Sequence, residues 1–512
     1  MNGENDELLR RLGPILASRP APVYLVGGAV RDALLGRAAY DLDFVVAHDA
    51  IRLAFAVADE LRVAAYTLDR ERDIGRVVLG QEIVLDFARF RGPDLEADLR
   101  ARDFTINALA VNAAEVSILA PDASGDVPPK PTPAIDPAAI VDPCGGLADL
   151  QAGVLRLTHP GAIDDDPLRA LRAVRLSWQF GLQMTPQAAA AARRVAPRLR
   201  ELSAERLRDE LLKLLGGPAP HRALQQLGDL ALLAVILPEI EALRDVQQSA
   251  PHHEAVLPHT LSVLARLLQV EETLLPETAG AQVDGANAQL AYTLRPYLAG
   301  LLAHVQRPVD GMLDGRILLR LSALFHDVGK AQTASVEEDG RVRFLGHDTE
   351  GATIAAHRLR ALRLSKEAVS HVRATVAAHM RPLSLSHAFT QSDRLSRRAA
   401  YRYFRAAEAA GLDVALLSLA DHLATYNGPG PQQQWNALLA VVERLLSYYF
   451  DKYEETVAPP PLLRGGELIA ALDLKPGPQI GRLLRLIEEA QAAGEVTSKE
   501  EALALAMKEI RN

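Results

Sequence analysis

The sequence predicts an α+β protein in which a small mixed sheet near the N-terminus precedes a long, mostly helical body. Short, turn-bounded segments rich in β-branched residues occur early in the chain, which is typical of strands. After residue 165 the chain is rich in Ala, Leu and Arg and poor in aromatic residues, which favours helices. The segments predicted to contain strands are VYLV, YDLDFVV, RVVLG, EIVLDFARF and ALAVNAAEVSIL.

The composition bounds the class of protein. With 512 residues, 49% of them hydrophobic, the chain can form several domains with substantial cores. Cys144 is the single cysteine, which excludes an internal disulfide and favours a reducing compartment. The polar start and the lack of long apolar runs predict a cytoplasmic protein without a membrane partner. A net charge of -9 argues against a generally basic coat for nucleic acid but allows a local basic groove.

Changes in composition and the Pro- and Gly-rich stretches along the chain predict four regions. These are a head over 1–150, a helical neck over 151–245, a histidine-rich domain over 246–430 and a helical tail over 431–512. The Pro- and Gly-rich stretches predict a surface loop over 120–143 and flexible linkers over 277–289 and 426–434.

The segment YDLDFVV carries two aspartates one residue apart in an apolar run. In a strand, Leu42, Phe44 and Val46 face one side, and Asp41 and Asp43 face the other. Two carboxylates held so close repel each other unless a positive charge lies between them. The pattern therefore indicates a divalent cation site, with a solvated edge strand as the alternative.

The preceding segment, VYLVGGAVRDALLGR, predicts a strand, a Gly27-Gly28 turn and a helix that ends at Gly36. Glycines at such a turn let backbone N–H groups approach a phosphate, and the helix N-terminus adds its positive dipole end. Arg31 can reach a phosphate from this helix. The alternative is a surface ion pair between Arg31 and Asp32.

A third acid, Asp86, lies in the predicted strand EIVLDFARF. Brought beside Asp41 and Asp43, it would complete a site of oxygen ligands suited to Mg²⁺. Such ions can activate a hydroxyl nucleophile and hold a triphosphate for in-line attack. The sequence leaves open whether Asp86 lies there.

Five motifs in order resemble those of the class II tRNA nucleotidyltransferases, the CCA-adding enzymes, and of the related bacterial poly(A) polymerases. The likeness covers about the first 220 residues and implies a head with a polymerase beta-like fold. The motifs are GGAVRDALLGRAAYDLDF, ARDFTINALA, VDPCGGLADL, DDDPLRALRAVRLSWQFGL and SAERLRDELLKLL.

This resemblance implies roles for individual residues. Asp41, Asp43 and Asp86 would be the catalytic carboxylates, and Asp41 and Asp43 would bind Mg²⁺. Asp166 and Arg169 would select the incoming base, because acceptors and donors together can address the Watson–Crick edges of cytosine and adenine. The other implied nucleotide-binding residues are Gly27, Gly28, Arg31, Asp32, Arg102, Asp103, Asn107, Arg172 and Arg175.

One spacing bears on which nucleotides are added. Ten residues, GPDLEADLRA, separate Arg91 from Arg102. Family members that add all three nucleotides typically carry a longer flexible loop here, and CC-adding members have a shortened one. A second departure is Ala101, where the family often has arginine. The resemblance implies CMP addition from CTP and AMP addition from ATP, with a CC-only enzyme or a poly(A) polymerase as alternatives.

Most histidines lie between residues 250 and 425, in an order similar to that of the HD family of metal-dependent phosphohydrolases. The resemblance implies one divalent transition metal or Mg²⁺, with a second metal ion as an option and a bound water as nucleophile. It also implies that Lys330 meets a phosphate. An HD domain that only binds RNA is the alternative. The implied ligands are His259, His326, Asp327 and Asp421 for the first ion, and His347 and His379 for the second.

Together these features predict an enzyme that extends tRNA without a nucleic-acid template and hydrolyses a phosphate at an RNA 3′ end. The stretch 193–213 has seven basic and four acidic residues, and the tail with Lys475 resembles the tRNA-binding segment of the CCA enzymes. Two rival functions are an HD phosphohydrolase whose head only binds its ligand, and a non-catalytic RNA-binding protein.

Overall fold

A computed structural model describes most of the chain, which falls into two compact units, Met1–Leu199 and Arg200–Asn512. Parts of the predicted surface loop (120–131) and of the first predicted linker (277–284) lie outside the described residues. The four predicted domain boundaries stay predictions. The described residues are 2–38, 41–79, 83–119, 132–275 and 285–511.

The first unit contains the predicted mixed sheet, six-stranded in the order β3-β4-β5-β2-β1-β6. Neighbouring strands are antiparallel except for β2 and β5, which are parallel. The strands are β1 Tyr24–Val26, β2 Asp41–Val46, β3 Ala64–Asp69, β4 Ile74–Leu79, β5 Ile83–Arg89 and β6 Ala110–Asn112. Two small sheets pair β7 Ser117–Leu119 with β8 Thr132–Ala134, and β9 Val154–Leu155 with β10 Gln183–Met184.

Helices flank these strands. Their bounds are α1 Asn2–Ala17, α2 Gly28–Leu34, α3 Ala50–Leu61, α4 Leu95–Arg100, α5 Gly146–Gln151, α6 Ala162–Asp165, α7 Leu168–Phe180 and α8 Pro186–Val195.

The predicted alternation in β2 is present. Leu42, Phe44 and Val46 are buried in the core, while Asp41 and Asp43 are exposed on the other face. Phe44 stacks on Phe87 of β5, with ring centroids 5.0 Å apart, so the apolar face of β2 is fixed against its parallel neighbour. This packing aims the two aspartates away from the core.

Two elements of the first unit were not predicted as such. Strand β3 is mostly exposed and lacks the buried alternation by which a strand is recognised. The segment between Arg91 and Arg102 contains helix α4, and Asp94 caps it by accepting a hydrogen bond from the Ala97 N–H at 2.8 Å. The short segment is therefore a capped helix rather than an open loop.

The second unit is almost wholly helical. Its two hairpins pair β11 Pro308–Asp310 with β12 Leu313–Asp314, and β13 Ser335–Val336 with β14 Val342–Arg343. Among the described residues, no helix has the length and apolar character needed to cross a membrane. The helices are α9 Ala204–Leu215, α10 Pro220–Asp229, α11 Leu233–Ile236, α12 Pro238–Glu241, α13 Val256–Glu272, α14 Ala286–Leu294, α15 Leu298–Gln306, α16 Gly315–Phe325, α17 Lys330–Thr333, α18 His347–Ala361, α19 Lys366–Ala378, α20 Arg381–Ser392, α21 Arg397–Ala407, α22 Gly411–Thr425, α23 Gln432–Asp451, α24 Gly465–Leu472, α25 Pro478–Ala493 and α26 Lys499–Arg511.

The second predicted linker, 426–434, is a short ordered turn instead. Helix α22 ends before it, and α23 begins within it. His422 Nε2 lies 2.9 Å from the carbonyl oxygen of Pro429, which fixes the turn. Trp435 is fully buried, and its Nε1 donates to Gln289 Oε1 at 2.8 Å. The linker prediction was wrong here because Gly and Pro mark a tight turn as readily as a flexible segment.

Close packing of α3 on β4 makes a prediction for Gly75. A Cβ at this position would lie 2.6 Å from Ala54 Cβ and 3.0 Å from Ile51 Cα, so a neighbouring element must shift. We expect Gly75→Ala to lower the free energy of unfolding of the first unit by about 1–3 kcal/mol. Urea denaturation followed by Trp178 fluorescence, in a Trp435→Phe background, measures this change.

The matched control for this experiment is Gly161→Ala, because a Cβ there would meet His159 Nδ1 at an ordinary contact distance of 3.5 Å. Equal urea midpoints for the two alanine variants would contradict the close packing of helix and strand.

Candidate active site and metal centre

The parallel pair β2 and β5 brings together the three carboxylates predicted from the sequence. In its register Asp43 lies opposite Asp86, and Asp41 lies opposite Val84. The position of Asp86, which the sequence left open, is thus beside Asp43. Carboxylate oxygens gathered on one face are the ligands that Mg²⁺ prefers.

Asp86 has a partner that sequence reasoning missed. Strand β4 places Arg76 opposite Asp86, and Arg76 Nε and Nη2 donate to the two carboxylate oxygens, each at 2.6 Å. This bidentate contact fixes the orientation of the carboxylate. Each oxygen keeps a further lone pair, so Asp86 can still face a cation. The only signal in the sequence was the alternation of RVVLG.

The pKa of Asp43 is raised, mainly by desolvation. Desolvation in the cleft, together with the charges of Asp86 and Asp41, raises the pKa of Asp43 to about 6, although Arg102 opposes the shift. A carboxylate with a raised pKa gains from any cation that neutralises it. The electrostatics therefore favour a bound cation at this face.

Gly27 keeps space open next to these carboxylates. A Cβ on Gly27 would lie 2.9 Å from Arg102 Nη1 and 3.9 Å from Asp43 Oδ2, and its φ is +73°. The Gly27 N–H donates to the carbonyl oxygen of Leu109 at 3.0 Å. This N–H is therefore already used within the head, and the expectation that backbone N–H groups of the turn approach a phosphate stays a prediction for the other N–H groups. What Gly27 provides is the absence of a side chain.

Asp98, also missed by sequence reasoning, holds Arg102 beside the carboxylates. It is buried in α4, and its Oδ2 accepts from Arg102 Nε and Nη2 at 3.1 and 3.0 Å. Its Oδ1 accepts from the N–H of Arg91 at 3.0 Å. The available signal was the i, i+4 spacing of an acid and an arginine. The short segment GPDLEADLRA is thereby tied to the cleft.

Asp103 lies at the centre of a buried network. Its Oδ1 accepts from the Phe104 N–H and Asn107 Nδ2 at 2.9 and 3.1 Å, and its Oδ2 from Arg172 at 2.9 Å. Burial alone would raise the pKa of Asp103, but Arg172 and these hydrogen bonds hold it below the usual value. Asn107 Oδ1 in turn accepts from Arg31 Nη1 at 2.5 Å. Asp103 therefore fixes the positions of Asn107 and Arg172.

Arg31 is buried rather than at the surface. Its Nε and Nη2 donate to Asp32 Oδ1 at 3.0 and 2.8 Å, and its guanidinium lies over the Phe180 ring at 4.2 Å. Burial lowers the pKa of Arg31, with Asp32 acting in the opposite direction. The ion pair considered from the sequence is present, in a buried form. The link from Arg31 to the site runs through Asn107.

The predicted base-selecting pair lies at the start of α7. Asp166 Oδ1 accepts from the Leu168 N–H at 3.2 Å. Arg169 Nη1 donates to the Ala162 carbonyl at 2.8 Å, and its Nη2 lies 3.4 Å from the Ala101 carbonyl oxygen. Ala101 takes part in this contact through its backbone oxygen, so the contact does not depend on which side chain is present at position 101.

Three arginines follow one another along α7 at a spacing of three. Arg172 reaches Asp103, and Arg175 Nη1 donates to Gln179 Oε1 at 2.8 Å on the same helix. Together with Arg169 they form a basic row on this helix, which suits phosphate or base contacts.

In the second unit, the six predicted HD ligands converge. His259 Nε2 lies 3.0 Å from Asp421 Oδ1, and His326 Nε2 lies 3.1 Å from Asp327 Oδ2. The Nε2 atoms of His347 and His379 lie 3.4 and 3.7 Å from Asp327 Oδ1. These residues form two groups of candidate ligands, and within each group the ligand atoms lie within 4.8 Å of one another. The groups are His259, His326 and Asp421, and Asp327, His347 and His379.

Backbone contacts orient three of these imidazoles. The Nδ1 atoms of His326, His347 and His379 lie 2.7, 2.8 and 2.6 Å from carbonyl oxygens three residues earlier. Nδ1 must donate to a carbonyl, so the lone pair of Nε2 faces the centre. Imidazole nitrogens with two carboxylates fit a divalent transition metal.

Lys330 and two residues missed from the sequence surround this centre. Lys330 Nζ lies 2.7 Å from Asp327 Oδ2 and donates to Gln248 Oε1 at 2.9 Å. The His252 ring packs edge-on against that of His259, with centroids 4.7 Å apart. The doublet of histidines at 252–253 was the available signal.

Known families match three parts of the chain. The Poly A polymerase head domain matches residues 23–156. The Probable RNA and SrmB- binding site of polymerase A matches 181–243, and the HD domain matches 295–426. The head and HD families are metal-dependent.

Similar proteins cover nearly the whole chain. The A-adding tRNA nucleotidyltransferase of Deinococcus radiodurans is 35% identical over 502 residues, which cover 96% of this chain and 97% of that protein. The CC-adding tRNA nucleotidyltransferase of Thermus thermophilus is 33% identical over 95% of this chain and 93% of its own. A solved CCA-adding enzyme in complex with CTP shares the fold, with a TM-score of 0.57 at 19% identity over 99% of this chain and 95% of its own. The chain belongs to the tRNA nucleotidyltransferase family, with an HD domain in the same chain.

Proposed function

We propose that the head adds CMP from CTP, and AMP from ATP, to the 3′ end of tRNA and releases pyrophosphate. The position of Asp43 opposite Asp86, beside Gly27 and Arg102, is the observation that carries this proposal. A ribose oxygen of the tRNA attacks the α-phosphorus, and the bond from that phosphorus to pyrophosphate breaks.

The residues of the head divide this work. Asp41, Asp43 and Asp86 would hold Mg²⁺, which when bound supplies positive charge to the triphosphate and activates the attacking hydroxyl. Arg102 lies next to the carboxylates, where it can donate to a phosphate oxygen. Selection of the base is assigned to Asp166 and Arg169. The predicted pocket residues Gly27, Gly28, Arg31, Asp32, Arg102, Asp103, Asn107, Arg172 and Arg175 support the site as contacts or through the Asp103 network.

The proposed nucleic-acid partner is tRNA, and the proposed compartment is the cytoplasm. The solved Thermotoga maritima CCA-adding enzyme, which is complexed with tRNA, has a similar fold, with a TM-score of 0.51. The match to an RNA-binding family over 181–243 overlaps the basic stretch 193–213. Recognition would depend on tRNA shape and backbone charge rather than base sequence.

A decisive experiment uses Asp43→Asn on tRNA transcripts that end before C74 or at C75, with Mg²⁺ and with CTP and ATP supplied singly and together. We expect nucleotide addition to fall by at least about 100-fold, because outer-shell residues around metal sites already cost 10–100-fold. Product length on gels measures it. Undiminished addition by the variant would show that chemistry occurs elsewhere.

The same variant has a second readout, thermal stability without divalent metal. The raised pKa of about 6 means that the contribution of protonated Asp43 to stability is full below pH 3.8 and is lost as the pH rises through 6. Asp43→Asn removes this charge, so we expect a higher thermal midpoint than wild type at pH 7.5 and a smaller difference at pH 4. An unfolded variant would instead show a lowered midpoint at both pH values.

Addition of CMP only is the alternative that the short segment raised, and helix α4 bears on it. The segment that is a longer flexible loop in many family members is here capped by Asp94 and tied to Arg102 through Asp98. A fixed segment offers less freedom to change the site from cytosine to adenine. In the assay above, CMP addition to transcripts ending before C74 together with AMP addition to those ending at C75 selects full addition, and CMP addition without AMP addition selects the CC-only enzyme.

Arg76 provides a prediction about the orientation of Asp86. Arg76→Met removes the bidentate contact while leaving the carboxylate in place, so we expect nucleotide addition to fall about 10–100-fold. The matched control is Arg72→Met, because the Arg72 side chain is 81% exposed and lies 3.8 Å from its acidic partner. An Arg76→Met enzyme as active as the Arg72→Met enzyme would exclude this positioning role.

We further propose that the HD centre hydrolyses a phosphate ester at an RNA 3′ end, such as a 2′,3′-cyclic phosphate. His259, His326, Asp327 and Asp421, with His347 and His379, would hold a divalent metal that polarises the phosphate and a water. The water oxygen bonds to phosphorus, a P–O ester bond breaks, and the leaving ribose oxygen takes the proton released by the water. Lys330 Nζ, held between Asp327 and Gln248, is in reach of a phosphate oxygen.

Asp327→Asn separates the two proposed activities. We expect this variant to lose hydrolysis of 2′,3′-cyclic CMP, because Asp327 is the carboxylate of one ligand group and lies 3.1 Å from His326 of the other, while nucleotide addition to tRNA is unchanged. Phosphate-ester hydrolysis with added Mn²⁺, Co²⁺, Ni²⁺ or Mg²⁺ measures the effect. Asp393→Asn is the control, since Asp393 is exposed and its left-handed backbone, with φ of 52°, suits asparagine. Equal hydrolysis by both variants would contradict the role of Asp327.

A further inference from the structure

One arginine at the cleft of the head has a guanidinium that no part of the head binds. Arg91 lies two residues after the end of β5, and its backbone N–H donates to Asp98 Oδ1 at 3.0 Å. Its Nε lies 4.0 Å from the same oxygen, which is too far for a hydrogen bond. Among the described residues, no other group pairs with this side chain. The backbone of Arg91 is therefore fixed, while the donors of its guanidinium are left for a ligand.

The other arginines around this cleft already donate within the protein. Their acceptors are side-chain oxygens or backbone carbonyls close by. These arginines are Arg31, Arg102, Arg169, Arg172 and Arg175. Arg91 differs from them because it can bind a ligand without giving up an internal hydrogen bond.

Positive charge is concentrated where Arg91 lies. Desolvation and then the charge of Arg102 lower the pKa of Arg91, and Arg169 adds to this effect. Asp98 opposes the shift. An anionic group bound here would relieve the repulsion among these guanidinium groups.

Arg91 lies at the rim of the cleft, and Arg102 lies deeper. Arg102 is next to Gly27, and it lowers the pKa of Asp43 more strongly than Arg91 does. The side chain of Arg91 is 53% exposed, against 12% for Arg102. The two arginines therefore face a ligand at different distances from the carboxylates.

The two substrates of the proposed reaction also place their phosphates at different depths. The α-phosphorus of the nucleotide must lie at the carboxylates, where Mg²⁺ would act on it. The attacking ribose oxygen of the tRNA reaches the same point, so the phosphodiester on the 5′ side of that ribose lies further out. An arginine at the rim is in the place to meet this phosphodiester, whereas Arg102 is in the place to meet the triphosphate.

We infer that Arg91 binds the last phosphodiester of the tRNA strand and so holds the 3′ end for attack. A guanidinium can donate through two parallel N–H groups to the two free oxygens of a phosphodiester. A phosphate contact carries no sequence information, so Arg91 can bind the next phosphodiester after each addition. This inference rests on the proposed extension of tRNA and gives that reaction a residue that positions the strand.

The test compares wild type, Arg91→Met and a control, Arg52→Met, with CTP, Mg²⁺ and a tRNA transcript that ends before C74. Arg52 is exposed on α3, and α3 packs on the apolar face of the sheet, opposite the acidic face. We expect Arg91→Met to raise KM for tRNA about 10-fold, as for the loss of a hydrogen bond to a charged group, and to leave KM for CTP unchanged. A raised KM for CTP with an unchanged KM for tRNA would assign Arg91 to the triphosphate and overturn the inference.

The salt dependence of tRNA binding is a readout that a merely structural role would not change. Loss of one phosphate contact to a single strand lowers the slope of log K against log salt concentration by about 0.7. Arg91→Lys keeps the charge, so we expect it to keep the wild-type slope but to bind more weakly, because lysine lacks the planar fork. Fluorescence anisotropy of a 5′-labelled transcript at several salt concentrations measures the slopes. Equal slopes for Arg91→Met and Arg52→Met overturn the inference.

The anisotropy measurement separates this inference from the proposed function, because it needs neither nucleotide nor catalysis. If the wild type extends no transcript, the proposed function fails by itself. A lower slope for Arg91→Met than for Arg52→Met then still supports the contact between Arg91 and the strand.

Discussion

The pairing of β2 with β5 is the constraint on which the head site depends. In this parallel register Asp43 lies opposite Asp86, and the stacked rings of Phe44 and Phe87 hold the same two strands on the core side. A slip of one residue would turn Asp86 toward the core and Phe87 toward solvent. The apolar face of the sheet therefore determines the geometry of its acidic face.

Partly buried arginines lie around the acidic face. Arg76 binds Asp86, and Asp98 binds Arg102, which lies next to Asp43 and Gly27. These contacts fix the side chains, while desolvation and the charges of Asp86 and Asp41 keep the pKa of Asp43 raised. A divalent cation would relieve the repulsion among these carboxylates.

In the HD centre, backbone carbonyls fix the orientation of the side chains. His326 and His379 each follow the last residue of an apolar helix, and the carbonyl oxygen three residues earlier accepts from Nδ1. The helix end thus supplies both the position of the imidazole and its protonation pattern. The predicted histidines and aspartates do converge, and their role as metal ligands stays a prediction.

What the sequence determined by itself was local. The alternation in YDLDFVV fixed which residues face the core, and the resemblance to the HD family pointed to the histidines and aspartates that converge in the second unit. The contacts of Arg76 and Asp98, the burial of Asp103, and the hydrogen bond from the Gly27 N–H to Leu109 were decided by the tertiary structure alone. Each depends on which distant segments meet and in what register, and helical or strand periodicity carries no information about that.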